Sequence, residues 1–274
     1  MAFTPKRGDY YRMPVFFGPT PGPRQFRGLE RFDWQLQPRR RVLGARFLTD
    51  ASELQSWLPP GFKVWGDPIV TCEVTYFDGF GWLAGRGYNM CDLKFNAAYQ
   101  NASAPVHGTL LIVRYENLCD PILSGREELG HNKLWCEIPP IREEQDGRHA
   151  TEMSWLGCTF WKIAAWDLRE ETQPPTADPL NKGLLSYKYL PRTGEWGTAD
   201  AAYATLTPPA WNGKVIRRLA GSGQVQFVRP QWEELPTMFH MINAFCDLPQ
   251  LESRGGYLYD MQGGASGSET HVVD

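Results

Sequence analysis

Gly125-Arg126-Glu127-Glu128-Leu129-Gly130-His131-Asn132-Lys133-Leu134-Trp135 is the stretch on which the reading of this chain turns. A lone lysine follows a turn-like Gly-His-Asn run, and two apolar residues follow it at once. Read as local structure, Lys133 is a surface residue at the start of a strand. Read as chemistry, it is an amine set among apolar neighbours. Burial there disfavours the ammonium form and lowers the lysine pKa. A neutral amine near pH 7 attacks a ketone carbonyl and forms a Schiff base. The residues of this stretch alone leave both readings open.

The rest of the chain bounds the setting. Its 274 residues allow one large β-rich domain or two small ones. Hydrophobic residues make up 42%, aromatic residues 13%, and there are 11 Trp, enough to build a core and to line an apolar cavity. The net charge is -3, so no basic surplus exists to hold a nucleic acid or an anionic membrane, and neither partner is expected. Residues 1–12 lack the apolar core of a signal peptide. Apolar runs such as 109–113 are too short to span a bilayer. A soluble, cytoplasmic protein is expected. The six cysteines are scattered without C-x-x-C or metal-ligand spacing, which reads as reduced core thiols. No metal and no cofactor are expected.

Punctuation by Gly, Pro, Asn and Asp divides the chain into short strands at 39–47, 69–77, 107–115, 152–167, 184–190, 201–206, 214–219 and 225–228. Asp50, with Glu53 three residues on, predicts a helix start. Leu54, Trp57 and Leu58 share a face of that helix, and Pro59-Pro60-Gly61 ends it. Trp232, Leu235, Phe239 and Ile242 predict a second helix over 231–246. Residues 1–37 read as an irregular arm packed on the domain through its aromatics, 169–182 as a surface loop, and 263–274 as a disordered tail. One domain over 38–262 follows, mainly β with few helices, in a closed or doubly packed antiparallel architecture.

Other motifs carry little. Gly79, Gly81, Gly85 and Gly87 do not follow G-x-G-x-x-G and lack the Lys-Ser/Thr of a P-loop, so they read as a hairpin or bulge segment. There is no G-x-S-x-G elbow and no H-E-x-x-H. His107, His131 and His149 read as hydrogen-bonded structural residues.

The opening stretch then carries more than its local reading. Gly125-Arg126-Glu127 through Lys133 resembles, without gaps, the G-R-E-…-K nucleophile motif of the acetoacetate decarboxylase family. Arg40, ten residues before the Asp50 of Thr49-Asp50, resembles that family's early active-site strand. Pro68 and Glu73 match a Pro and a Glu of the next strand, and Phe95-Asn96 matches a Phe-Asn pair. The resemblance covers roughly residues 14 to 262. It implies an α+β, mainly β, fold: an antiparallel β-barrel or cone with a few peripheral helices, an interior pocket holding the lysine, and a homo-oligomer. It also implies chemistry, a Lys133 Schiff base with a β-keto acid from which CO2 leaves.

In that reading Arg40 orients the carboxylate, Glu73 stands with the catalytic groups, and Arg126 and Glu127 anchor the loop and the polar wall. Trp82, Tyr88 and Leu134 shape the pocket. Two departures stand out. The family's second lysine, directly after the nucleophile, is here Leu134. Counted back from Phe95-Asn96, the family's catalytic Glu falls on Arg86. An arginine is no proton donor or acceptor near neutral pH, but it binds a carboxylate or enolate oxygen. His131-Asn132 stands in the place of the Tyr-Pro pair before the family's lysine, and His131, whose ordinary pKa of ~6.5 suits proton transfer, is expected to supply it. The leading expectation is a carbon–carbon lyase acting on a β-keto acid or bulky ketone of secondary metabolism. Decarboxylation comes first, and aldol or dehydration chemistry next. A non-imine cyclase or isomerase in the same apolar pocket, and a small-molecule binding protein, are the alternatives.

Overall fold

The computed structural model describes residues 4–24, 31–32, 38–171, 178–210, 213–264 and 267–273. Strands form where β-branched and aromatic residues alternate with polar ones. In chain order they are β1 (Arg39–Leu48), β2 (Phe62–Val64), β3 (Ile69–Asp78), β4 (Asn89–Tyr99), β5 (Val106–Glu116), β6 (Lys133–Trp135), β7 (Arg142–Glu143), β8 (His149–Trp155), β9 (Cys158–Glu170), β10 (Leu184–Pro191), β11 (Ala199–Thr207), β12 (Lys214–Phe227), β13 (Glu252–Gln262) and β14 (His271–Val272). Among the described residues three short α-helices accompany them: α1 (Ala51–Ser56), α2 (Cys119–Ser124) and α3 (Phe239–Asp247).

All the strands belong to one sheet, ordered β14-β11-β10-β5-β4-β3-β1-β13-β12-β9-β8-β7, with β2 beside β4 and β6 beside β5. The mainly β fold with few helices is as expected, and its sheet is mixed: most neighbours are antiparallel. β5 runs parallel to β10 and to β6, which share its far edge. Antiparallel neighbours can follow from tight turns, whereas a parallel neighbour needs a long crossover. Residues 117–132 supply one between β5 and β6. Just beyond β6, Glu137 bridges to Ser154 of β8, so the far limb of the sheet curls back toward β5.

The two faces of the sheet differ. Successive side chains on a strand point to opposite faces. Val70, Cys72 and Val74 of β3, Cys91, Leu93 and Phe95 of β4, and Val113 and Tyr115 of β5 enter the main core. There they meet Leu54 of α1, Ile242 and Phe245 of α3, and Phe160, Trp161 and Ile163 of β9. The intervening positions are polar or charged: Glu73, Asp92, Lys94, Arg114 and Glu116. Cross-strand register lines up Glu73, Asp92, Arg114 and Lys133 in one row.

Several element boundaries differ from expectation. The run 152–167 is two strands, β8 and β9, folded at Leu156-Gly157, both with positive φ. Residues 214–227 form one long strand, since the glycines at 221 and 223 sit against neighbouring backbone where a Cβ would clash. α3 begins only at Phe239, and the turns of 232–238 contain Pro236, which has no N–H to donate. The supposed tail is ordered at its end. β14 pairs with β11, the Val273 N–H donates to the Ala204 carbonyl at 3.0 Å, and Val273 is buried in a second, smaller core. The arm was expected to pack through its aromatics. In its described part Phe16 and Phe17 are exposed, Tyr11 and Phe32 are half-buried, and Arg12 and Arg24 tie it to Glu128. Residues 25–30 and 33–37 of the arm, and 172–177 of the expected loop, lie outside the described residues. Among the described residues no helix is long and apolar enough to cross a membrane.

Candidate active site

Lys133 owes its place to the crossover. After α2 the chain makes a π turn over Gly125–Leu129, closed by Gly130 at φ 76°. That left-handed conformation suits glycine, and a Cβ there would stand 2.6 Å from Lys188 Cβ. Arg126 donates a hydrogen bond to the Lys133 carbonyl at 2.8 Å, tying the turn to the first residue of β6. The pleat then sends Lys133 to the polar face of the sheet and Leu134 to the main core.

Lys133 is 5% exposed and Glu116 is fully buried. Nζ lies 2.8 Å from Glu116 Oε1 and donates to the Pro121 carbonyl at 2.8 Å. Burial drives the lysine pKa down. The Glu116 charge opposes this, Arg114 reinforces it, and the balance stays below the ordinary value. Burial drives the Glu116 carboxyl up, and Lys133 and Arg114 only partly offset this. Arg114 grips Asp92 with two hydrogen bonds of 2.6 and 2.7 Å. Burial alone would raise Asp92, but the charge and hydrogen bonds of Arg114 hold it below the usual carboxylate range.

Lys133 lines a cavity of about 210 Å³. One side is an aromatic cluster: Phe77, Phe80, Trp82 and Tyr88, with Phe80 stacked on Tyr88 at 5.2 Å. Leu184, Pro208 and Pro209 add apolar surface. Arg24, Arg40 and Arg114 add positive charge, and Glu269 a negative one. Arg24 comes from the N-terminal arm and is ion-paired with Glu128, which Arg12 also meets at 3.4 Å. Among the described residues no carboxylate is ion-paired with Arg40, whose guanidinium carbon lies 5.9 Å from the centre of the Phe77 ring. His131 also lines the cavity. Its Nε2 is 3.0 Å from Thr207 Oγ1, and its buried Nδ1 has no hydrogen-bond partner among the described residues.

Of the residues singled out from the sequence, Lys133, Arg40, His131, Trp82 and Tyr88 line this cavity. Glu73 does not. It lines a neighbouring hollow on the same sheet face, where it accepts from Lys94 Nζ at 2.6 Å and from the Tyr257 hydroxyl at 2.5 Å. Arg86 is exposed in the tight β3–β4 connection and donates to the Leu83 carbonyl at 3.2 Å, so it is not a pocket residue. The turn at Ala84 and Gly85, both at positive φ, directs it outward. Leu134 faces the core, so it does not shape the pocket. Arg126 and Glu127 lie behind the cavity lining, and the Glu127 carbonyl accepts from Lys188 Nζ at 2.6 Å. Sequence reading missed Asp92, Arg114, Glu116 and Arg24. The signal was present for the first three: charges two residues apart on otherwise apolar strands, at 92 and 94 and at 114 and 116. Among the described residues no cluster of His, Cys, Asp and Glu could hold a metal ion.

Comparison with known proteins adds a family. The family model described as acetoacetate decarboxylase (ADC) matches residues 12–262. Acetoacetate decarboxylase from Legionella pneumophila subsp. pneumophila str. Philadelphia 1 shares the fold with a TM-score of 0.65 at 16% identity, over 93% of this chain and 92% of that one. An acetoacetate decarboxylase-like enzyme from Sphingomonas wittichii RW1 superposes with a TM-score of 0.65 at 15% identity, over 83% and 91%. The enduracididine biosynthesis enzyme MppR, complexed with pyruvate, does so with a TM-score of 0.66 at 15% identity, over 87% and 90%. At such identities these structures establish a common fold. No curated protein matches the chain. The family model spans almost the whole sequence, and on that ground the chain belongs to the acetoacetate decarboxylase family.

Proposed function

We propose that this protein is a lysine-dependent carbon–carbon lyase that condenses Lys133 with the ketone of an oxo acid and releases CO2 from the resulting imine. The observation that carries the reading is a buried lysine, Lys133, lining a cavity of about 210 Å³ together with aromatic rings and arginines. With a β-keto acid, the protonated imine stands two bonds from the carboxylate. The carbon–carbon bond breaks, its electron pair moves into the iminium as CO2 departs, and an enamine remains. Protonation at carbon and hydrolysis return the amine. Arg40 is the group available to orient the substrate carboxylate, and the aromatic cluster suits a substituent larger than a methyl group.

A second reading keeps the imine and retains the carboxylate, as in aldol or dehydration chemistry. Two observations among the described residues favour it: Arg40 without an ion-paired carboxylate, and the unpartnered Nδ1 of His131, a group able to move a proton. A firm grip on a carboxylate works against its departure as neutral CO2. MppR, a biosynthetic enzyme of the same fold, has been solved with the condensation product of pyruvate and imidazole 4-carboxaldehyde.

Borohydride reduction in the presence of acetoacetate, pyruvate or a bulkier aryl-substituted β-keto acid tests the imine. A mass increment on Lys133, absent in Lys133→Ala, is the expected result. CO2 release against carbon-chain extension then separates the two outcomes. Turnover that survives in Lys133→Ala would reject both and leave a non-imine cyclase or isomerase.

A further inference from the structure

The nitrogen that attacks is not alone in its hole. Glu116 ends β5 where the crossover begins, and Lys133 starts β6 where the crossover returns, so the fold brings the two together from opposite ends of one loop. The distance is 2.8 Å, with side-chain exposures of 6% for Lys133 and 0% for Glu116. Glu116 is the one carboxylate within ion-pair distance of Nζ among the described residues. By hydrogen-bond geometry neither of its oxygens has a partner among the described residues, so what joins it to Nζ is the ion pair alone. The neighbouring cation, Arg114, is already committed to Asp92 through both of its bonds. A carboxylate in a dry site with a single partner, itself the reacting atom, is placed to exchange a proton with it.

We propose that Glu116 is a catalytic residue, the proton partner of Lys133 in imine formation, which takes the ammonium proton to free the amine and later delivers it to the departing oxygen. This role rests on the imine reading above. The steps balance. Proton transfer within the pair converts Nζ-H3⁺ and carboxylate into amine and carboxylic acid. The amine lone pair forms the C–N bond as the carbonyl pair moves onto oxygen. Glu116 gives its proton to that oxygen and takes one from the nitrogen, leaving a neutral carbinolamine. The nitrogen pair then expels hydroxide, Glu116 protonates it to water, and a protonated imine faces a carboxylate. Ketone, ammonium and carboxylate have become iminium, carboxylate and water, with no outside acid or base.

The pair's internal transfer also bears on how the site works with Leu134, and not a second lysine, next to Lys133 in the chain. Lys133 is lowered by burial, while Glu116 is raised by the same burial. Both directions narrow the gap that the proton must cross. In a dry interior the neutral pair has no charge to desolvate. Its two macroscopic titration steps belong to the pair and not to either residue.

Acetylacetone supplies the test, because its adduct with an amine is a conjugated enaminone visible in the near ultraviolet. The rate of Lys133 adduct formation is measured against pH for wild type, Lys133→Ala and Glu116→Gln, with mass spectrometry to locate the adduct. The expected wild-type rate rises much less than tenfold per unit between about pH 6 and 8, since the amine passes its proton to Glu116 and not to solvent. Glu116→Gln should be slower by about 100-fold, the usual scale of general acid–base assistance, and its acid limb should shift. A Glu116→Gln rate and pH profile matching wild type would overturn the proposal. So would a wild-type rate climbing about tenfold per pH unit through neutrality, the behaviour of an unassisted amine. That measurement needs no variant to fold. A wild type that forms no Lys133-dependent adduct removes the imine reading, and this role falls with it.

Discussion

The Cα of Gly125 is a seat for the side chain of Lys133: a Cβ at position 125 would stand 2.3 Å from Lys133 Cε and 2.5 Å from Nζ. The spacing between the glycine and the lysine is therefore a packing relationship as well as a sequence motif. The turn returns the chain so that the lysine lies across the residue that began it. Gly125→Ala should push Nζ out of its position against Glu116 and the Pro121 carbonyl. The expected result is a folded protein, less stable by about 1–3 kcal/mol from overpacking, whose borohydride-trapped adduct falls at least tenfold. Equal trapping in the alanine variant would show that the seat is not needed.

The buried pair makes a stability prediction independent of chemistry. Lys133→Met leaves the Glu116 carboxyl buried with nothing to meet, and breaking such a pair from one side costs about 3–5 kcal/mol. Replacing both partners with apolar residues of similar volume removes the stranded group. Urea unfolding should therefore find Lys133→Met/Glu116→Leu more stable than Lys133→Met alone by about 2 kcal/mol or more. A double variant no more stable than the single one would mean the two side chains are not energetically coupled.

How much of this was legible in the sequence depends on which strand face a residue occupies. Lys133 stood out by its apolar neighbours, and Arg40 and His131 only through the resemblance to the family's motifs. Asp92, Arg114 and Glu116 did not, because on a strand a charge at every second position is the ordinary mark of a solvent-facing side. Nothing local says that the polar side of this sheet closes over a cavity. β4 escaped notice for the same reason, its Asp92 and Lys94 breaking an otherwise apolar run. β13 escaped because Gly255-Gly256 reads as a turn. In the fold Gly256 lies where a Cβ would meet the Ser222 carbonyl at 2.5 Å, so it is a close approach of two strands. Counting back from Phe95-Asn96 put Arg86 in the site, but the turn at Ala84-Gly85 rotates it out, and no count along the chain reveals a turn's direction.

Arg40 separates substrate recognition from nucleophilic attack. It lines the cavity beside Phe77, and among the described residues no carboxylate is ion-paired with it. A charged hydrogen bond is worth about 1.5–3 kcal/mol, which corresponds to a loss of about 10- to 100-fold on removal. Arg40→Gln should weaken capture of an oxo acid by that factor relative to capture of the neutral acetylacetone. Competition between the two probes, read by mass spectrometry on Lys133, gives the ratio directly. An unchanged ratio would mean that the carboxylate is held elsewhere.

His131 sets a pH limit on the fold. It is 6% exposed, and burial, followed by the charges of Arg114, Lys133 and Arg24, holds its imidazole well below the ordinary value. In the unfolded chain the same ring takes a proton near ~6.5. Because the folded value is the depressed one, the stabilising contribution is complete above the unfolded value and is lost as pH falls toward the folded value. One proton bound only by the unfolded state gives a slope of about 1.4 kcal/mol per pH unit. Urea midpoints measured downward from neutrality should fall through the window below about pH 6.5, before most carboxylates titrate. Gln in place of His131 keeps an amide that can meet Thr207 Oγ1 but carries no titrating group. His131→Gln should therefore flatten this part of the curve, even if it lowers stability at neutral pH. Parallel curves for the two proteins would show that the imidazole is charged or solvated in the folded state, contrary to its burial here.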